Sequence, residues 1–102
     1  MMAAQVKTIV LSKIGDQWHR TNLHHVNLRE CLVEPEYVKF IDVSTEQPVH
    51  AWLVLRECPF GNAYGILYDE CSASFGLAQF AEGYEPCLIG LYGDFFAALE
   101  AM

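Results

Sequence analysis

The sequence predicts an α+β domain, an antiparallel sheet of five to six strands built from hairpins, with a C-terminal helix packed on one face. Three observations carry this reading. Short runs rich in β-branched and aromatic residues recur from Val6 onward, separated by brief loops of polar residues, glycine or proline. Between these runs no segment is long enough to serve as the helical crossover of roughly a dozen residues or more that a parallel sheet needs. Finally, Phe95, Leu99 and Met102 share one face of a helix that Asp94 would cap, its carboxylate accepting from the free amides of the first turn.

Taken in order, Val6 to Ile14 (VKTIVLSKI) alternates loosely and is expected to be a strand, turned at Gly15-Asp16 into a returning strand over Gln17 to Thr21. Asn22 to Val33 has no cleanly apolar face and reads as a strand or an irregular segment. Pro35, between Glu34 and Glu36, is expected to break the chain. Tyr37 to Val43 and Val49 to Arg56 then form a hairpin around the polar turn Ser44 to Pro48, with the near-continuously apolar second strand in a central position. Ala63 to Asp69 and Ser74 to Ala81 make the next hairpin, with Tyr68 opposite Phe75 and Ile66 opposite Leu77. Cys87 to Tyr92 is the last strand before the helix.

The stretch Pro59 to Asp94 is compositionally distinct. It holds six of the seven glycines and no Lys, Arg or His. Four times an aromatic precedes a glycine directly, at Phe60-Gly61, Tyr64-Gly65, Phe75-Gly76 and Tyr92-Gly93. Glycine within a strand marks a bulge, a bend or a close backbone approach, and a nearby ring can cover the gap it leaves.

The 102 residues fit a single domain spanning 1–102. A hydrophobic content of 53%, against a usual range of about 45–50%, leaves apolar surface that is expected to meet another chain. Net charge is -7, and the deficit is uneven. Residues 1–56 balance Lys7, Lys13, Arg20, Arg29, Lys39 and Arg56 against an equal number of carboxylates, whereas 57–102 carry Glu57, Asp69, Glu70, Glu82, Glu85, Asp94 and Glu100 and no base. Such a field repels phosphate, which disfavours nucleic acid and favours a basic protein partner. No signal-peptide pattern or membrane-length apolar run is present, and Cys31, Cys58, Cys71 and Cys87 lack metal-knuckle or disulfide-framework spacing. A cytoplasmic protein with reduced thiols, without membrane association, is expected.

Catalytic and metal signatures are weak. His24 and His25 would point to opposite faces of a strand, and their offsets from His19 do not match the spacing of a helical ligand pair, so no metal site is expected. Cys71 and Cys87 stand close to carboxylates, which oppose thiolate formation. No nucleophile elbow, phosphate loop or dinucleotide fingerprint occurs, so neither a catalytic residue nor a cofactor is assigned.

Two functional classes follow. The first is a small acidic interaction module, acting as a homodimer, accessory subunit or inhibitor of a more basic protein and docking through Tyr64, Tyr68, Tyr84 and Tyr92. The second is a small-ligand domain or small enzyme, with a pocket between sheet and C-terminal helix lined by Trp52, Phe80 and Phe96 and carrying His50 at its mouth.

Overall fold

Hairpin pairing dominates the architecture, as the alternating apolar runs require. The computed structural model describes residues 1–57 and 63–102, in the order α1 (Ala3–Ile14), α2 (Leu28–Cys31), β1 (Leu32–Asp42), β2 (Pro48–Arg56), β3 (Ala63–Asp69), β4 (Ser74–Phe80), β5 (Cys87–Gly93) and α3 (Phe95–Glu100). Cys58 and the Phe60-Gly61 pair lie outside the described residues. The fold is α+β with five strands, and α3 packs on the sheet. In the β3–β4 hairpin Tyr68 faces Phe75 and Ile66 faces Leu77, the register expected from the sequence.

The sheet goes further than an open meander, because it closes into a barrel in the order β1-β2-β3-β4-β5. Successive strands are antiparallel. With an odd number of them the first and last run the same way, so β1 and β5 meet in parallel, at Ile41 with Cys87 and Asp42 with Leu88. Curvature comes from irregularities in pairing: one in β1 before Glu36, one in β2 between Leu53 and Leu55, and two where β4 meets β5. Bulges of this kind bend a strand and increase its twist, which closure demands.

The barrel interior is filled by Phe40, Ala51, Leu53, Leu67, Ala78, Phe80 and Leu88. Space there is tight at two glycines. A Cβ on Gly65 would stand 2.6 Å from the Leu55 carbonyl oxygen, and one on Gly76 would stand 2.7 Å from that of Gly90. Both positions therefore need glycine for room. A second core lies outside the barrel, where Val6, Val10 and Ile14 of α1, Leu28 and Cys31 of α2, and Phe95 and Leu99 of α3 cover Val54, Ile66, Tyr68 and Phe75.

The N-terminal third departs from the sequence expectation. Val6 to Ile14 is helical within α1, with no strand there and no return over Gln17 to Thr21. Val6, Val10 and Ile14 form an i, i+4, i+8 stripe that buries fully on the second core, and burial of that stripe outweighs the modest β preference of Val and Ile. Gly15, at φ 58°, ends α1 by donating its N–H to the Leu11 carbonyl at 2.9 Å, and so is a helix stop instead of a hairpin turn. Pro35 does not break the chain. It sits buried inside β1 at the bulge facing β2, where a missing donor costs no ladder bond. Asp94 occupies the N-cap of α3, but its side chain makes no capping hydrogen bond.

Two predictions follow from this packing. Gly65→Ala is expected to lower stability by about 1–3 kcal/mol. Gly90→Ala, whose new methyl would find its nearest neighbours in the Tyr92 side chain at 3.7 Å, an ordinary contact distance, is expected to cost much less; urea unfolding of the two variants compares them. In the β1–β2 turn the Ser44 hydroxyl and N–H donate to Asp42 Oδ1 at 2.7 and 2.9 Å and hold its carboxyl below its ordinary value. Stability from this turn is therefore present above the ordinary carboxylate pKa and lost as pH falls through the lowered one. Ser44→Ala is expected to move the Asp42 titration upward, read by NMR of the carboxyl carbon.

Candidate functional site

Chemistry-bearing side chains gather most densely at the barrel end where β2 stops, β3 starts and β4 leaves. Arg56 is the last residue of β2 and pairs with Gly65. Its guanidinium carbon lies 4.2 Å above the ring of Phe80, which fills that end of the barrel edge-on to Phe40 at 6.3 Å. Arg56, Phe80, Ala81, Glu82 and Tyr84 line an open concavity of about 280 Å³. Tyr84 is 80% exposed on the β4–β5 loop, where its N–H donates to the Ala81 carbonyl and Gly83 adopts φ 82°. The result is a cation stacked on an aromatic, a carboxylate, and a phenol presented to solvent.

Beside this mouth lies a second cluster. Glu57 Oε1 accepts the Tyr64 N–H at 2.7 Å, while Oε2 lies 2.9 Å from His24 Nδ1. The His24 and Tyr64 rings stand 5.7 Å apart. One carboxylate thus fixes both a strand end and an imidazole from the α1–α2 connection. A carboxylate-oriented imidazole can act in general acid–base chemistry. Asn22 shapes the loop that delivers His24: its Oδ1 accepts from the N–H groups of His24 and Val26, and its Nδ2 donates to the Leu99 carbonyl at 2.8 Å.

The structure scatters the residues singled out from the sequence. Tyr84 lines the mouth itself and Tyr64 stands beside it with Glu57 and His24. Tyr92 is 44% exposed with its ring over Gly90, on the far part of β5. Tyr68 is 5% exposed beneath the helices, its ring 5.0 Å from that of Phe75, so it presents no docking face. His50 and Trp52 lie with Tyr37 in an aromatic row on the outer face of β1 and β2, at ring separations of 5.8 and 5.0 Å from Tyr37. Phe80 is inside the barrel, whereas Phe96 is in the outer core under Arg20. His50, Trp52, Phe80 and Phe96 therefore share no cavity, and α3 is closed onto the sheet by Phe95 and Leu99 at 0% exposure. Among the described residues these four side chains lie on three different surfaces of the fold.

Among the described residues no group of three or more His, Cys, Asp or Glu side chains converges as a metal site would, and Cys31, Cys71 and Cys87 are free thiols. Among the described residues no helix is long and apolar enough to cross a membrane. The sequence reading named Arg56, Glu57, Glu82 and His24 but assigned none of them to a site; the available signal was that Arg56 is the last basic residue of the chain and closes a near-continuously apolar run. Comparison with known proteins finds no matching family model, and no match among curated proteins or solved structures.

Glu57→Ala is expected to destabilise the fold by about 1–3 kcal/mol, because the half-buried Tyr64 N–H loses a charge-assisted acceptor. Glu57→Gln keeps an acceptor oxygen and should cost less. Denaturant unfolding of both variants, with unchanged m-values, checks the order.

Proposed function

We propose that this chain is a small protein-interaction module that docks a basic protein partner through the barrel mouth formed by Arg56, Phe80, Glu82 and Tyr84. The observation that carries the reading is Tyr84, 80% exposed beside an arginine already held flat on Phe80. Tyrosine and arginine are the residue types that concentrate binding energy at protein interfaces, and a pre-held guanidinium loses little freedom on docking. The net charge of -7 supports a basic partner and speeds its approach. Glu82 lies at the mouth itself, and Asp94 and the β1–β2 turn add carboxylates elsewhere on the surface. Free thiols at Cys31, Cys71 and Cys87 suit a reducing compartment, in keeping with a cytoplasmic role.

The test is affinity capture from extracts of the native host with wild type and with a Tyr84→Ser, Arg56→Gln double variant. The expected result is a basic protein captured by wild type, released as salt is raised, and lost by the variant. Equal capture by both forms overturns the reading. So does a salt-resistant homodimer by light scattering whose mass the variant leaves unchanged, because the surplus apolar surface would then be buried against a second copy elsewhere.

A further inference from the structure

A separate concavity, remote from the barrel mouth in the fold, has the chemistry of a small-ligand site. Thr8, Ile9, Ser12 and Lys13 of α1 form one wall, and Tyr68 and Ala73 of the β3–β4 hairpin form the other, around about 400 Å³. Their spacing explains the wall: Thr8 with Ser12, and Ile9 with Lys13, are i, i+4 pairs on one side of α1. The volume lies in the range of ligand pockets, about 300–1,000 Å³.

The lining is sorted by chemistry. Ile9, the Tyr68 ring and Ala73 give an apolar floor. Lys13 gives a cation, and Ser12 gives a hydroxyl. The Tyr68 ring is 5% exposed, and no buried side-chain polar atom among the described residues lacks a partner. The Tyr68 side chain lines the groove, and its hydroxyl makes no hydrogen bond to a described residue. Lys7, Arg20 and Lys39 are taken up in ion pairs, whereas Lys13 joins none among the described residues. The nearby carboxylates are already engaged: Asp69 accepts from the Ser72 hydroxyl at 2.7 Å and the Cys71 N–H at 3.3 Å, and Glu70 accepts the Trp52 indole N–H at 3.3 Å with the Met1 amino group at the same distance.

We propose that the groove between α1 and the β3–β4 hairpin binds a small apolar carboxylate, its chain against Ile9, Ala73 and the Tyr68 ring and its carboxylate between Lys13, Ser12 and the Tyr68 hydroxyl. A uniformly apolar groove would take alcohols and acids alike. The unpaired lysine and two hydroxyls set the preference for the anion in a protein that is otherwise strongly acidic.

The experiment is an NMR titration of the full chain with sodium hexanoate and, in parallel, 1-hexanol. Hexanoate is expected to shift the amides of Ile9, Ser12, Lys13 and Ala73 and to bind about three- to fivefold more tightly than hexanol, the size of preference that one solvent-screened ion pair supplies. Lys13→Gln, at an exposed position, should leave the rest of the spectrum unchanged and abolish the preference. Ser12→Trp, which fills the groove, should abolish binding of both compounds. Shifts spread evenly over the surface, equal affinity for acid and alcohol in wild type, or a preference that survives Lys13→Gln overturns the proposal. None of these outcomes depends on Tyr84 or Arg56, so the two functional readings fail separately.

Discussion

Closure of an odd-numbered meander is the constraint on which the rest of the structure depends. Five alternating strands can form a barrel only if the first and last pair in parallel, and here that seam spans the short contact of Ile41 and Asp42 with Cys87 and Leu88. The curvature needed to reach it is concentrated in β1, β2 and β5 by bulges, and at Gly65 and Gly76 the neighbouring backbone comes close enough to exclude any side chain. Everything outside the barrel then serves the convex face of β2 to β4, where Val54, Ile66, Tyr68 and Phe75 would be exposed without the helices. The apolar excess in the composition is therefore divided between two cores, one enclosed by strands and one roofed by helices.

The strands from β2 onward were readable because each is bounded by turn chemistry and carries residues that fit a half-buried pleated surface. Ala63 to Asp69 even yielded its partner register, since Tyr68 with Phe75 and Ile66 with Leu77 is the pairing that aligns large side chains on one face. The first third misled for a physical reason. VKTIVLSKI has the composition of a strand, and its helical identity rests on Val6, Val10 and Ile14 meeting a surface built from residues far along the chain. Pro35 misled likewise, because a bulge accommodates a proline that a regular strand would not. Closure itself was invisible, being a property of summed twist that no local pattern records.

The candidate site was legible only in part. Tyr84 was one of four tyrosines offered for docking, but the arginine beside it became significant only once Phe80 was seen beneath it. Tyr68 and Tyr64, both on β3, met different fates, one largely covered by the helices at the edge of a groove and one at the barrel end. The charge asymmetry also changes meaning in three dimensions. Glu57, Glu85 and Glu100 of the basic-free half face His24, Lys39 and Arg20 of the other half. Each exposed pair contributes at most about 1 kcal/mol, but together they set which parts of the chain face one another, and they leave the remaining carboxylates to define the outer field.

The contacts of α3 reach back across most of the chain. Arg20 binds Glu100 at 2.6 Å, and Asn22 donates to the carbonyl of Leu99. The helical roof is thus assembled from an early segment lying mainly on β1 and β2 and a late one lying mainly on β4 and β5, which meet each other along a shared edge. The stripe of Val6, Val10 and Ile14 on α1 therefore finds much of its surface on the first two strands of the chain. The outer core is closed only when Phe95 and Leu99 join it, so the two ends of the chain are fastened to each other through the same cluster of side chains and the loss of either end would open it.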